Sequence, residues 1–470
     1  MARRQAAQLR AAQAFTIRVA QASGPSGLTQ MASLGPVSTP TPLSDASPPQ
    51  APSSATGAPS GTLNTDIDRS LAEIEAQSAP IAAAGPILRI RAGNPGLDKL
   101  INVQGPIETS FSPWYTGRAY FGVTPTFLRA GTPSSSGVSQ FGTNPLLAAE
   151  FPGTALPSPG DQQANGVGLY GGYSYKFVSA AIGTSPIGFP VRNLLGDIAL
   201  CYPFACGPIG PAGLSLWEGS PSNPFQLRVE GQRQPVTDTL LSFAGTKDPA
   251  TQQVWGGVAK TSGHAVLLYD NGSYGGIATG GGGVLDGQNV KSNSEGEGLI
   301  GGFFRPWREG DNALKVGLDL AYFGYDRNLQ FFSFGQGGYF SPQNYLNLSL
   351  PVEYSGRDGA LSYRAAAAIG VIHFNEDRSP FFPTNANAQT TMQSLTGNNA
   401  FYPGKIVTVP GFNVGGQVEY AFDNGLTLGG RANVNNTRDY TEGMVNLYLR
   451  DNFGIHTLPV FSPDVGRGSL

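Results

Sequence analysis

The stretch "ALKVGLDLAYFGYD", Ala313–Asp326, alternates its side chains without a break. Leu314, Val316, Leu318, Leu320 and Tyr322 fall on one face of an extended chain, and Lys315, Gly317, Asp319, Ala321 and Phe323 fall on the other. Successive side chains of a strand point to opposite sides, so the segment has one apolar face and one small or polar face. The pattern recurs in "YLNLSLPVEY" (Tyr345–Tyr354), "LTLGGRANVN" (Leu426–Asn435) and "VNLYLRDNF" (Val445–Phe453). A soluble β-sandwich would alternate as well. Three features favour a membrane barrel instead. The segments outrun the about five or six residues usual for soluble strands. Their polar faces mix single charges with Gly, Ala and Ser, as a watery lumen tolerates, and aromatics gather near segment ends as interfacial girdles do. The expectation is an all-β, transmembrane, antiparallel up-and-down barrel of about sixteen strands over 86–453, set in a bacterial outer membrane.

Composition agrees. Only 13% of the 470 residues are charged, while Gly (65) and Pro (37) are abundant and aromatics make up 10%. Disordered chains are poor in aromatics, so the aromatic region after Pro80 must fold. The net charge of −3, spread without blocks, leaves no basic footprint for nucleic acid. No run of the about 18 to 20 apolar residues that a spanning helix needs occurs. Strands of a barrel need no such run. Phe453 ends the last segment in an aromatic, as outer-membrane proteins do.

Before the barrel, residues 1–23 suit a short helix rich in Ala, Gln and Arg, interrupted too often to be a signal peptide. The chain therefore reads as a piece of a longer secreted precursor. Residues 24–62 are a Pro/Ser/Ala/Gly-rich linker, unable to bury enough apolar surface to fold. Residues 63–80 suit a short amphipathic helix with Ile67, Leu71 and Ile74 on one face and Pro80 as its stop. Residues 454–470 form a C-terminal tail, expected at the periplasmic mouth. The long connections 132–164, 201–223 and 375–410 are expected outside the cell, where they are candidates for a lid. Cys201 and Cys206 close a short loop if bridged, which an oxidising compartment allows; two separate thiols are the alternative.

No chemistry of catalysis stands out. His264, His373 and His456 lie outside any nucleophile or metal motif and read as solvated residues near strand ends. Glu295 with Glu297, and Glu376 with Asp377, read as solvated loop carboxylates rather than a hydrolytic pair. The run Gly280–Gly283 lacks the Lys of a phosphate loop and reads as close strand packing. Neither a cofactor nor a metal is expected.

Alternation places the candidate lumen residues. They are Arg89, Arg91, Glu108, Arg118 and Tyr120 in the first part of the barrel, with Lys176, Arg228 and Glu230 following. Lys315, Asp319, Phe323, Glu353, Arg364, Gln417, Glu419, Arg431, Tyr448 and Arg450 complete the polar face. Both charge signs are present, whereas a ring of one sign would select an ion. Such a lumen suits a neutral, hydroxyl-rich polymer. A structural barrel whose lumen charges only pair with each other is the competing account.

The segment "SFGQGGYFSPQNYLNLSLPVEYSGR", Ser333–Arg357, resembles the hallmark of the C-terminal domain of the cellulose synthase operon protein C family. Further matching stretches, in order, are "RIRAGNPGLDKL" from Arg89, "GTSPIGF" from Gly183, "RQPVTDTLLSFAGTKDP" from Arg233, "VWGGV" from Val254, "LDGQNVKSN" from Leu285 and "NLYLRDNF" from Asn446. The resemblance implies a sixteen-stranded outer-membrane channel that passes nascent cellulose from the periplasm to the cell surface. A porin or exporter for another polysaccharide is the alternative. It also implies an inner-membrane cellulose synthase complex as partner, reached through periplasmic tetratricopeptide repeats of which residues 1–23 would be the end, and outer-membrane lipid around the barrel. Within the hallmark, Gly335, Gly337, Gly338 and Pro342 shape a turn. Tyr339, Phe340, Gln343 and Tyr345 are candidates for a sugar-contacting constriction near the exit.

Overall fold

The computed structural model of the chain describes residues 16–20, 79–113, 117–202, 213–217, 224–437 and 440–453. Within them, sixteen antiparallel strands close into one barrel. Strand β1 is Ile81–Ala84 continued by Ile87–Arg91, and β2 is Leu100–Gln104 continued by Ile107–Phe111. There follow β3 (Arg118–Gly131), β4 (Gln162–Tyr175), β5 (Val178–Ile187), β6 (Leu194–Tyr202) and β7 (Phe225–Pro235). Next come β8 (Val254–Asp270), β9 (Tyr274–Gln288), β10 (Asn293–Glu309), β11 (Asn312–Tyr325) and β12 (Asn344–Asp358). The last four are β13 (Leu361–Glu376), β14 (Lys405–Ala421), β15 (Leu426–Thr437) and β16 (Tyr440–Asn452). The seam joins β16 to β1, with Glu442 opposite Arg91 and Asn452 opposite Ile81.

Closure removes every sheet edge, which is what hydrocarbon demands of a spanning sheet. The 17-residue strands rise about 3.3 Å per residue and, at a tilt near 45°, span roughly 40 Å. That exceeds an apolar band of about 25 Å. The alternation read from Ala313–Asp326 holds: Leu318, Leu320 and Tyr322 point outward and are exposed, while Lys315, Asp319 and Phe323 point inward and are buried. Aromatic rings ring the outer wall at the end that carries Ile81 and Asn452. Phe225 and Tyr269 lie 4.8 Å apart, Tyr420 and Phe422 4.9 Å, and Trp307 and Tyr354 6.1 Å. The protein is thus an outer-membrane barrel, with this girdle at one lipid headgroup level.

Turns at the girdled rim are short (176–177, 271–273, 310–311, 359–360), and loops at the opposite rim are long (132–161, 236–253, 326–343, 377–404). The short-turn rim faces the periplasm and the long-loop rim faces outward. One expectation is corrected here. Tyr202 and Phe225 bracket the 203–224 connection at the periplasmic rim, so it is not an outer loop. Chain parity fixes this, because six strands precede it; length alone had suggested the other side. Cys201 is disulfide-bonded, while Cys206, its expected partner, lies outside the described residues. Lys176 sits exposed in the turn after β4, not in the lumen.

The barrel also begins five residues earlier than expected. Ile81–Ala84 already pair with Leu449–Asn452, and Pro86 marks a break within β1 rather than its start. Gly105–Pro106 breaks β2 next to it, and Gly85 donates its amide to Pro106 O at 3.2 Å. A Cβ on Gly85 would lie 2.0 Å from Leu447 O, so a Gly-Pro step lets two strands bend together against β16. Thr16–Ala20, inside the segment expected to be helical, is a strand antiparallel to Gly213–Trp217. Its β-branched Thr16, Ile17 and Val19 favour that form. The linker 24–62, residues 63–78 of the helix expected over 63–80, and the tail 454–470 lie outside the described residues.

Candidate functional site: a three-tier lumen

Inward-facing residues sort by height into three tiers. Near the periplasmic rim the wall is charged and self-paired. Arg228 Nε donates to Glu230 at 3.0 Å. Arg305 grips Asp270 with two bonds of 2.8 Å. Glu353 is shared by Lys315 at 3.1 Å and Arg364 Nε at 3.0 Å. Arg450 lies 3.9 Å from Glu419, which also accepts the Tyr448 hydroxyl, and Gln417 donates to Tyr448 at 3.0 Å. Arg431 has Glu108 as an opposite charge. Arg118 donates to Ser110 at 2.9 Å, and Tyr120 to the Ala180 carbonyl at 3.3 Å. Asp319 lies within electrostatic reach of Lys315.

The partners sit on the same or nearby strands, so a buried charge meets its opposite without reaching into the channel. Removing one partner of such a pair would leave a buried charge alone, which costs about 3 to 5 kcal/mol. Three further carboxylates, toward the outer ends of their strands, are paired in the same way and correct the sequence reading. Glu295 and Glu297 are not loop residues: both face inward on β10, where Lys260 bridges them and His264 bonds Glu297. The glycines around them on "SEGEG" had disguised a strand. Glu376, likewise, ends β13 and pairs with Lys405 at 3.4 Å.

The middle tier is rich in uncharged amides. Asn347 and Ser349 on β12, Asn413 on β14, Asn433 and Asn435 on β15, Asn446 on β16, and Asn102 and Gln104 on β2 all face inward. None of these was singled out from sequence. The signal was present in the same alternation, but amides attract less notice than charges.

The outer tier is filled, mostly by apolar side chains. Four long loops turn in over the mouth and interlock. Gly142 of the β3–β4 loop donates to Phe332 O at 2.8 Å and accepts from the Phe334 amide at 2.9 Å, joining the β11–β12 loop from across the barrel. Asp248 of the β7–β8 loop accepts from the Thr143 amide at 2.8 Å. Ser333 donates to Phe381 O at 2.6 Å, and Gln336 to Pro380 O at 2.7 Å, tying in the β13–β14 loop. The two lid candidates, 132–164 and 375–410, thus contribute to one cap.

Its centre is the β7–β8 loop. Thr239 caps helix α1 (Leu240–Ala244), every residue of which is buried. Arg89 on β1 donates to Thr237 O at 2.8 Å and to Glu442 at 2.8 Å, and Arg91 donates to Asp238 O at 3.1 Å. Since β1 and β7 are separated around the wall, these bonds run across the lumen. Phe340 donates its amide to Asp238 Oδ2 at 3.1 Å, and Thr239 Oγ1 donates to Gly338 O at 2.8 Å. Burial pushes the Asp238 carboxyl above its ordinary value, against the pull of Arg91 and Arg89 and of the Phe340 amide.

The hallmark segment supplies the cap's aromatic filling. Gly335 and Gly338 have φ of +100° and +67°, which turn the chain inward. Tyr339, Phe340 and Tyr345 then pack with Phe323 and Phe374: Phe323 and Tyr345 are 4.2 Å apart, Phe340 and Phe374 5.2 Å. Tyr339 and Tyr345 are each 1% exposed, and their rings meet Tyr325 and Phe323 rather than open channel. Gln343 is half-buried and donates to Ser341 O at 3.1 Å.

A sequence profile described as "Cellulose synthase operon protein C C-terminus" matches residues 98–206 and 211–454. The chain belongs to the cellulose synthase operon protein C family. Cellulose synthase 2 operon protein C of Komagataeibacter xylinus is 34% identical over 368 residues, covering 77% of this chain and 26% of the relative. Cellulose synthase operon protein C of Xanthomonas axonopodis pv. citri is 33% identical over 302 residues, covering 62% of this chain and 19% of the relative. This member therefore spans about a quarter or less of the length of these two relatives. Among solved structures, a bacterial polysaccharide outer membrane secretin aligns with 80% of this chain and 99% of its own at 12% identity, with a TM-score of 0.47.

Proposed function

We propose that the barrel is a conduit rather than an enzyme, and that it passes nascent cellulose, an uncharged β-1,4-glucan, from the periplasm to the cell surface. The observation that carries this is the self-pairing of the lumen charges. Arg228 with Glu230, Arg305 with Asp270, Lys315 and Arg364 with Glu353, and Lys260 with Glu295 and Glu297 set five basic against five acidic side chains and leave no surplus field of one sign. A wall of paired charges neither concentrates nor repels an ion, while its remaining donors and acceptors form weak, repeated contacts with passing hydroxyls. Membership of the family agrees with the substrate. In this reading the inner-membrane cellulose synthase complex delivers the polymer through periplasmic repeats, and the cap must part to release it.

The test is current through the purified chain in a planar bilayer, with cello-oligosaccharides or alginate oligomers added on the periplasmic side. Cello-oligosaccharides are expected to interrupt the current in brief, concentration-dependent blocks. Blocks by alginate alone would overturn the cellulose reading in favour of an exporter for a charged polysaccharide.

A further inference from the structure

The amide-rich middle tier gathers unmatched polar atoms in one place. Among the described residues, the side chains of Asn102, Gln104, Asn413, Asn433, Asn435 and Asn446 contribute eight buried polar atoms without a hydrogen-bond partner. Asn413 and Asn435 leave both their Oδ1 and Nδ2 atoms unmatched; Asn102, Asn433 and Asn446 leave Oδ1, and Gln104 leaves Nε2. Buried amides are otherwise almost always satisfied, so a cluster of unmet ones marks a place built for groups the chain itself does not supply.

The cluster is contiguous. Asn413 stands directly opposite Asn435, and Asn433 lies two residues further along β15. Asn446 faces Arg431 on the other side of β15 and Ile87 on β1. Asn102 stands opposite Arg89, and Gln104 opposite Ile87. The amides therefore occupy a strip across β14, β15, β16 and β2, with only β1 between them. Neighbouring strands are about 4.8 Å apart, close to the width of one sugar ring. An amide presents a donor and an acceptor side by side, as a row of hydroxyls does in reverse, and the charges beside the strip are countered, Glu442 by Arg89 and Arg431 by Glu108.

We propose that this strip is a binding track for the hydroxyls of an uncharged glycan, lying between the paired charges of the periplasmic mouth and the closed cap. It rests on the conduit reading above and adds where the chain is held. Its position explains a division of labour. The charged tier pairs its opposite signs and lets the polymer slide, whereas the amide strip is incomplete until the polymer, or water in its absence, fills it. The strip also adjoins the cap's latch, because Asn435 faces Glu442, and Glu442 holds Arg89, which holds Thr237. A glycan seated on the amides would lie against the side chains that keep the cap shut.

Calorimetry on the purified chain in detergent, with cellohexaose and with a hexameric alginate as the charged probe, tests the track. Asn413→Leu with Asn435→Leu keeps side-chain size and removes the amides. Cellohexaose affinity is expected to fall about tenfold in this double variant, the loss of two hydrogen bonds. Heat-modifiable electrophoretic mobility verifies that the barrel has closed. If the double variant does not close, Asn433→Leu, at a half-buried site, is expected to weaken binding about threefold. Wild-type affinity in a closed Leu variant would refute the track while leaving the conduit intact. A wild-type chain that binds the alginate and not cellohexaose would remove the conduit reading, and the track with it.

Discussion

The two ends of the lumen solve opposite problems with the same strands. At the periplasmic end, charges are buried against opposite charges on the same or nearby strands, along the wall and not across the channel. At the outer end, Arg89 and Arg91 reach across the channel to the carbonyls of Thr237 and Asp238, and aromatic rings fill the space between. Pairing along a wall leaves a bore; pairing across it makes a barrier. The position of a partner, more than the type of residue, decides whether a barrel segment is a passage or a gate.

The comparison is broken most strongly at the latch. Arg89→Ala combined with Arg91→Ala removes the donors for the β7–β8 loop and leaves Glu442 buried without its nearest guanidinium. The expected result is a rise of tenfold or more in single-channel open probability, because an uncompensated buried charge costs about 3 to 5 kcal/mol. An unchanged open probability would show that the cap does not depend on these bonds. At the other end, Glu353→Gln strips Lys315 and Arg364 of a shared carboxylate. It is expected to destabilise the barrel by about 3 kcal/mol, read as a lower temperature for loss of the compact form on gels. The current should also turn anion-selective without any change in cap opening. An effect on opening would mean that the two ends are coupled.

The smallest effect concerns pH. The closed cap holds Asp238 with a carboxyl pKa above its ordinary value, so the closed state binds a proton more tightly than the released loop does. Cap closure is then fully supported below the ordinary carboxyl range and weakens as pH rises through the released value toward the raised one. Hydrogen exchange at the amides of 236–244 should quicken over that interval, and Asp238→Asn should flatten the dependence. A slope of opposite sign would show that Arg91 and Arg89 outweigh desolvation at this site.

The barrel was legible because its rule is local. Lys315, Asp319 and Phe323 are placed by alternation within a single segment, and the inward-facing residues inferred in this way, from Arg89 to Arg450, do face inward, Lys176 in its turn excepted. The cap was legible only in outline. Its lengths suggested a lid, but Thr237 meets Arg89 from 148 residues away, and no local pattern encodes that partnership. Glu295, Glu297 and His264 were missed for a different reason. Glycines flank both carboxylates and let the strand pass as loop, while Gly281 opposite Glu297 is what makes room for the His264 ring, which a Cβ there would meet at 2.3 Å. Tyr339 and Phe340, expected at a sugar-contacting constriction, are buried in the cap against Tyr325, Phe323 and Phe374, which belong to strands outside the hallmark turn.

Arg89 touches Glu442, 353 residues along the chain, as well as Thr237. The first strand, the last strand and a loop from the middle of the chain therefore share one side chain. Before β16 has zipped onto β1, the carboxylate that orients this guanidinium is elsewhere, and the plug has no dock. Such long-range closures come late in folding because their loop entropy is lost before any contact compensates it. Seating of the plug thus reports that the cylinder is complete, and an unfinished barrel, with its seam still open, would be one whose mouth had not yet shut.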